Sequence, residues 1–459
     1  MLERKLTLIH AVSLNMSLMV GIGPFITIPT LVGSLGGPQA MIGWILGAVI
    51  ALADGMVWSE LASAFPGSGG TYHFYDAALG ESTPGRLLKF VFVWQFLFSG
   101  PLEIASGAIG MTQYLAYFFP ALANPVWNWN SVAPFLGGNL TRSQLVAVGI
   151  MVGVTILAYR GIAMAGRLMI VFWVGMLGTV GWVILTGLTH FDPDVAFDFP
   201  KNAWTLDLHF TMGLGLALTI AMYDYFGYYQ ICYLGDEVAD PARTIPRSIL
   251  ISVVAVALVY LVMNVGILGV LPWREVVNSA HVASDLMLAT QGPWAARTVT
   301  VLILWTALAS VFAAVLGYSR IPYAAARSGH FFRFLETTHP TAHFPHRSLL
   351  LIGVISSFAC LFNLATVISA LITSRILIQF VGQIGLIFYL RSHAMGRATP
   401  FTMPFFPLPA LIALAGWIFI FATSDALALM YGVLSLVVGG VTFFVWDSRA
   451  SNKSAKSAS

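Results

Sequence analysis

Charge is what this sequence is shortest of. Only 9% of its 459 residues are Asp, Glu, Lys or Arg, against about 25% in a soluble globular chain. Hydrophobic residues make up 58%, and the mean hydropathy is +0.84. So little polar surface cannot cover a chain of this length in water, which excludes a cytosolic enzyme and a nucleic-acid binder. Cysteine is scarcer still. Cys232 and Cys360 both fall inside apolar runs, where a small buried thiol is expected rather than a disulfide or a metal site, and a secreted disulfide scaffold is excluded. The net charge of +3 says little about partners, because basic residues in such a chain are placed for orientation in lipid.

What the chain has in quantity is long apolar segments. They are read at about 9–34, 40–65, 88–119, 143–159, 168–189, 209–235, 248–271, 297–319, 348–371, 373–390, 408–424 and 426–446. The runs are continuous, about twice the length of a barrel strand and without period-two alternation, so they predict transmembrane helices rather than a β-barrel. The expectation is an all-α membrane protein of twelve transmembrane helices. Counting basic residues between these spans puts 17 of the 22 Lys and Arg on one side and Arg142, Lys201, Arg274, Arg297 and Arg375 on the other. That bias makes the first side cytoplasmic, with both termini inside a cell membrane and the protein embedded in lipid. Residues 1–8 are read as a cytoplasmic N-terminus and the Ser-, Ala- and Lys-rich 447–459 as a disordered cytoplasmic tail.

Two spans carry breaks where a helix should run unbroken. The first contains Gly21-Ile22-Gly23-Pro24-Phe25 and then Pro29. Each Gly costs about 1 kcal/mol and each Pro about 3 kcal/mol in a helix interior, so the helix is predicted to unwind here. Pro24 lacks an N–H and crowds the carbonyl one turn back, while the glycines let another molecule approach the backbone. Free backbone groups cannot face lipid, so this stretch must line a cavity or pack in protein. The sixth span carries Tyr223-Asp224-Tyr225-Phe226-Gly227-Tyr228-Tyr229-Gln230, and an acid near a helix centre costs about 2.5–3.5 kcal/mol on insertion scales. Spans 1 and 6 are five apart, an odd number, as an inverted repeat with a site between its halves requires. A half-helix N-terminus offers free N–H groups to an anion and unwound carbonyls meet a cation, so the pair can read a zwitterion.

These motifs resemble the amino acid, polyamine and organocation transporter superfamily. Gly21 to Phe25 is similar to its glycine-rich break in span 1. Ser59 to Tyr72, with Phe65-Pro66-Gly67-Ser68-Gly69-Gly70 at its centre, resembles its second-span signature. Asp236-Glu237-Val238 with Thr244-Ile245-Pro246-Arg247, the loop from Ser319 to His330 with His339-Pro340, and Met403 to Pro409 follow in order. The resemblance is greatest to the L-type amino acid transporters and, through Tyr159-Arg160-Gly161 and the acids Asp54 and Glu103, to the plant polyamine uptake transporters. It implies a five-plus-five inverted-repeat core of the LeuT-like kind with broken helices 1 and 6, the repeats spanning 9–189 and 209–390. It also implies two accessory helices at 408–446 and alternating access to a site at the two breaks. By position, Gly21, Ile22 and Gly23 would hold a substrate carboxylate, with Pro24 and Phe25 beside them. Tyr223 would stand at a gating aromatic, and Asp224, Tyr225 and Gly227 would line the site.

Glu103, in the middle of span 3, could pair a substrate ammonium, because a buried carboxylate needs a cation, a proton or several hydrogen bonds. Asp54 and Glu103 are the candidates to carry a coupling proton or cation, with His10 a weaker one. Glu60 reads as structural, holding the turn at Pro66 or an arginine. If Asp54, Glu103 and Asp224 converge on one cavity, a cationic amino acid or a polyamine is favoured; if they scatter, a neutral amino acid. The histidines His339, His343 and His346 beside Arg347 read as a basic loop rather than a metal centre. Asn124 to Asn130, with Trp127 and Trp129, reads as an interfacial cap. The function expected is a secondary transporter of amino acids, with a polyamine or cationic amino acid carrier as the alternative. A transporter-like amino acid sensor is the reading from another class. No nucleophile–base or metal-ligand spacing occurs in the spans, so neither an enzyme nor a cofactor is expected.

Overall fold

The computed structural model describes residues 6–128, 139–160, 165–340, 344–393 and 400–458. Trp129, Asn130, Gly161 and His343, and residues 1–5 of the expected N-terminus, lie outside them. The chain is helical almost throughout. Its helices are α1 Leu8–Met19, α2 Gly23–Leu35, α3 Ile42–Ala64, α4 Thr71–Leu79, α5 Thr83–Leu115, α6 Arg142–Arg160 and α7 Ala165–Thr189. There follow the single turn α8 Pro193–Ala196, α9 Leu208–Tyr225, α10 Pro241–Leu268 and the single turn α11 Trp273–Val276. The last group is α12 Val282–Gln291, α13 Pro293–Tyr318, α14 Arg320–Arg327, α15 His346–Ala359, α16 Leu364–Arg375, α17 Gly382–His393, α18 Leu408–Thr423 and α19 Ala426–Ala458. Among the described residues one hairpin pairs β1 Pro125–Asn128 with β2 Asn139–Thr141, and leaves Trp127 exposed in the loop read as a cap.

Among the described residues seven helices are long and apolar enough to cross a bilayer, eight if the bent pair α1–α2 is one span. Three shorter apolar helices, 173–189, 346–359 and 408–423, accompany them. This is a multi-pass membrane protein. Large side chains such as Leu185, Val354 and Val441 face outward, as a surface solvated by lipid rather than water permits.

Both predicted breaks are present. α1 ends at Met19 and α2 begins at Gly23 at an angle of 50°. Pro29 sits inside α2 without ending it. α9 ends at Tyr225, and after Gly227, at φ +111°, the chain resumes as a 3-10 helix, Gln230–Glu237. The pieces pair crosswise. α1 joins the 3-10 segment through Ile231 N–H to Asn15 Oδ1 at 3.0 Å, and Leu6, just before α1, pairs with the end of that segment through Leu6 N–H to Glu237 O at 2.9 Å and Ala239 N–H to Leu6 O at 2.9 Å. α2 packs on α9, so closely that a Cβ at Gly213 would overlap the Ser34 carbonyl. α3 and α10 form the rest of this bundle, and α5 packs against α13 and α16 on the other side of it.

Two expectations need correction. Spans 9 and 10 do not meet near residue 372. The turn lies at Cys360–Asn363, where the Asn363 side chain caps α16 by accepting from Thr366 N–H at 2.8 Å. α16, a π-helical stretch Ile376–Val381 and α17 then run on as one rod, 364–393. Arg375 therefore sits inside the protein at 0% exposure rather than on an outer face. Nor is 447–459 disordered up to its end, since α19 continues to Ala458. That stretch holds neither Gly nor Pro to stop a helix, and Asp447 pairs with Arg86 at 2.7 Å.

Candidate functional site

Where the two breaks face each other a cavity of about 50 Å³ opens, room for only a few waters. Its walls come from span 1 (Leu18, Met19, Gly21, Ile22, Gly23), α5 (Glu103, Ile104, Gly107), the α9 end (Tyr223, Asp224, Phe226) and α13 (Ser310, Val311, Ala314). The sequence-predicted Gly21, Ile22, Gly23, Glu103, Tyr223 and Asp224 thus converge. Pro24, Phe25, Tyr225 and Gly227 do not line it. Phe25 is fully buried, its carbonyl accepting from Tyr114. Tyr225 turns away between Trp44 and Tyr260. Gly227 instead permits the breaks to meet, since a Cβ there would stand 2.8 Å from the Leu18 Cβ.

The backbone at this crossing is held by α10. Tyr260 of α10 donates to carbonyls of both breaks, Met19 O at 2.6 Å and Asp224 O at 3.1 Å. Across the cavity Tyr223 shares a 2.7 Å hydrogen bond with Ser106 of α5. Gly21 and Gly23 leave no room for side chains: a Cβ at Gly23 would overlap Asp224 Oδ1, and one at Gly21 would lie 2.9 Å from Ser310 Oγ.

Its acids differ sharply. Glu103 already has a cation, for Arg375 Nη1 lies 2.7 Å from its Oε2. Arg375 also donates to Ser99 Oγ at 3.2 Å and Tyr229 Oη at 3.1 Å, and its guanidinium lies over the Phe96 and Phe226 rings. The expectation that Glu103 awaits a substrate ammonium is therefore met from within the protein. Asp224 is 2% exposed; its Oδ2 accepts from Thr27 Oγ1 at 2.6 Å and its Oδ1 has no partner among the described residues. Asp54 does not reach the cavity. It lies behind span 6, accepting from Tyr228 Oη and from Trp417 Nε1 at 3.1 Å. Glu60 pairs with Arg391 at 2.7 Å and accepts from Met403 N–H, the structural role read for it.

Sequence reasoning missed Arg375 and the α13 wall. Ser310 had a signal, as a small polar residue in an apolar helix; Arg375 was hidden by the misplaced turn. It also missed the cluster of Asp76, Glu81 and His330, whose ligand atoms lie within 4.8 Å of one another. That space is already filled: Lys89 Nζ stands 2.7 Å from Asp76, 3.0 Å from Glu81 and 3.2 Å from His330 Nε2. An ammonium at that distance repels a metal cation, and the group is an ion-pair latch tying the α4–α5 corner to the α14 loop.

Comparison with known proteins fixes the setting. The profile of the amino acid permease family matches residues 6–446. The chain belongs to that family. The permease is 23% identical to the serine/threonine exchanger SteT of Bacillus subtilis (strain 168), over 95% of each chain. It is 25% identical to the vacuolar cationic amino acid transporter 4 of Arabidopsis thaliana, over 83% of the permease and 62% of that protein. It is 26% identical to the human cystine/glutamate transporter, over 98% and 87%. The resemblance read in the motifs and the family profile agree.

Proposed function

We propose that the permease is a secondary active transporter that carries amino acids across the cell membrane by alternating access, with both termini in the cytoplasm. Twelve spans in two inverted five-helix repeats plus two accessory helices are the topology that accommodates its helices. The observation that carries this reading is the meeting of two interrupted spans at one buried cavity. There the positive dipole end of α2 suits a carboxylate, and the backbone carbonyls of the two interrupted stretches suit an ammonium. The crosswise pairing of the pieces supplies two bodies to rock about that cavity: α1 with the 3-10 segment, and α2 with α9. A polyamine carries several ammonium groups and would want as many uncompensated acids, and the cavity offers one, Asp224. The relatives named above move amino acids, which favours the same substrate class.

The test is thermal unfolding of the purified permease against the proteinogenic amino acids and against putrescine and spermidine. A ligand at a hundred times its dissociation constant adds about 2.7 kcal/mol to apparent stability. Stabilisation by one or a few amino acids and by neither polyamine is the expected result. Stabilisation by the polyamines alone would overturn it.

A further inference from the structure

We propose that Asp224 is the proton carrier of this permease: each amino acid entering the cavity brings one proton, held on Asp224 Oδ1, and the amino acid is one with an uncharged side chain. The inference rests on the site assigned above and adds its coupling ion and substrate class.

Asp224 and Glu103 are the carboxylates lining the cavity, and Arg375 cancels Glu103 at 2.7 Å. An ionised Asp224 therefore leaves the site one negative charge, and a zwitterionic amino acid, being neutral, leaves it uncorrected. One positive charge must come with the substrate, on its side chain, as a metal cation wanting several oxygen ligands, or as a proton; among side-chain oxygens the lining adds only the Tyr223 and Ser310 hydroxyls to the two carboxylates. Apart from Glu103, Tyr223, Ser310 and Asp224, the side chains around the cavity are apolar: Leu18, Met19, Ile22, Ile104, Phe226, Val311 and Ala314. A basic side chain laid against them would be stripped of water with nothing to replace it, at a cost far above that of an aliphatic one. The charge is therefore a proton.

Position points to Asp224 as its holder. Oδ1 is unpartnered, 98% of the residue is buried, and the carboxylate lies so close to Gly23 that a Cβ there would overlap it. Gly23 opens α2, the half helix whose positive dipole end faces the substrate carboxylate. Two carboxylates at one helix end cannot both stay charged. Substrate arrival thus favours the protonated acid, whose new O–H donates where the anion would repel. The remaining titratable groups around it supply no competing proton or charge. Tyr223 and Tyr225 flank it in sequence, Tyr260 of α10 donates to its carbonyl, and Glu103 of α5 is tied to Arg375 of α16. Lining residues from span 1 and α13 include no acid or base. The step is conservative: water on the outer side gives a proton to Asp224, substrate and proton cross together, and Asp224 returns the proton to water inside as the amino acid leaves. Linkage requires the reverse as well, so acid must raise amino acid affinity by the factor with which substrate raises proton affinity.

Purified permease is reconstituted into liposomes holding a pH dye, with L-alanine, L-leucine and L-lysine as probes. With an acidic outside and neutral inside, the wild type is expected to accumulate alanine or leucine, acidify the lumen in step, and bind the probe about tenfold more tightly in acid than at neutral pH. In Asp224→Asn the affinity, at whatever level, is expected to become the same at both pH values. Wild-type uptake without lumen acidification overturns the proposal, as does a pH-dependent affinity surviving in Asp224→Asn. Preference for L-lysine without proton movement also overturns it, by moving the charge onto the substrate while leaving the site intact. If no probe is bound or moved by the wild type, the site reading itself fails and the proposal with it. The lumen measurement needs only the wild type, so a poorly folded variant does not protect the idea.

Discussion

The permease buries acids in two regions and treats them differently. At Glu60 and Glu103 each carboxylate meets an arginine at 2.7 Å, Arg391 and Arg375, and the pair behaves as a rivet between distant segments. On either side of the span 6 break, Asp54 and Asp224 have no arginine or lysine among the described residues, only hydroxyl and indole donors. Paired acids fix geometry, because losing a partner strands a charge. Unpaired acids are free to change protonation. The two unpaired acids differ again: Asp54 has both oxygens occupied and no cavity, whereas Asp224 has an open oxygen and a cavity. That difference separates a packing acid from a functional one.

The sharpest way to break the contrast is to strand a paired acid. Arg375→Met should cost about 3–5 kcal/mol, because it leaves the buried Oε2 of Glu103 without a cation. The double change Glu103→Gln with Arg375→Met should recover most of the loss. Thermal unfolding in detergent reads both, and a single variant as stable as the wild type would show that the pair compensates nothing. Next in size is Gly23→Ala, whose new Cβ displaces the Asp224 carboxylate. It should weaken amino acid binding by about 1–3 kcal/mol, the usual cost of overpacking, with Gly21→Ala milder because the Ser310 hydroxyl can rotate aside. Binding isotherms compare the two, and equal losses would remove the distinction between the two glycines. Asp54→Asn should cost about 1–3 kcal/mol of stability through one ill-matched hydrogen bond while leaving proton movement coupled to uptake. Uncoupling by Asp54→Asn would transfer the role from Asp224.

The smallest effect is expected at the latch. The Glu81 carboxyl is held below its ordinary value of 4.5, chiefly by the Lys89 hydrogen bond, with a further contribution from His330. A lowered folded pKa contributes stability above the ordinary value and loses it as pH falls through the lowered one. Glu81 is largely exposed, so screening keeps the contribution small. Glu81→Gln should lower stability slightly at neutral pH and flatten the acid limb of the unfolding curve, the variant and the wild type converging as pH falls through the lowered value.

Much of this was legible in the chain. Gly21, Gly23 and Pro24 predict a helix interruption wherever they fall in an apolar span, because the cost is local to the backbone, and the break came where they stand. Asp224 next to Gly227 marked the second break for the same reason, although unwinding begins at Phe226 rather than Tyr223. Arg375 was illegible because a charged residue between two apolar runs reads as a loop, and the true turn was marked only by Asn363. Its partner Glu103 lies 272 positions away in sequence, a separation that no local pattern spans.

The sequence alone determined that the chain is a bundle of membrane helices with two interruptions, because hydropathy and backbone propensity act over neighbouring residues. Only the tertiary structure decided which acids are paired. Ion pairing in a low-dielectric interior depends on which helices are brought within a few ångströms, and so it fell to the packing of α5 against α16 to silence Glu103 and leave Asp224 open.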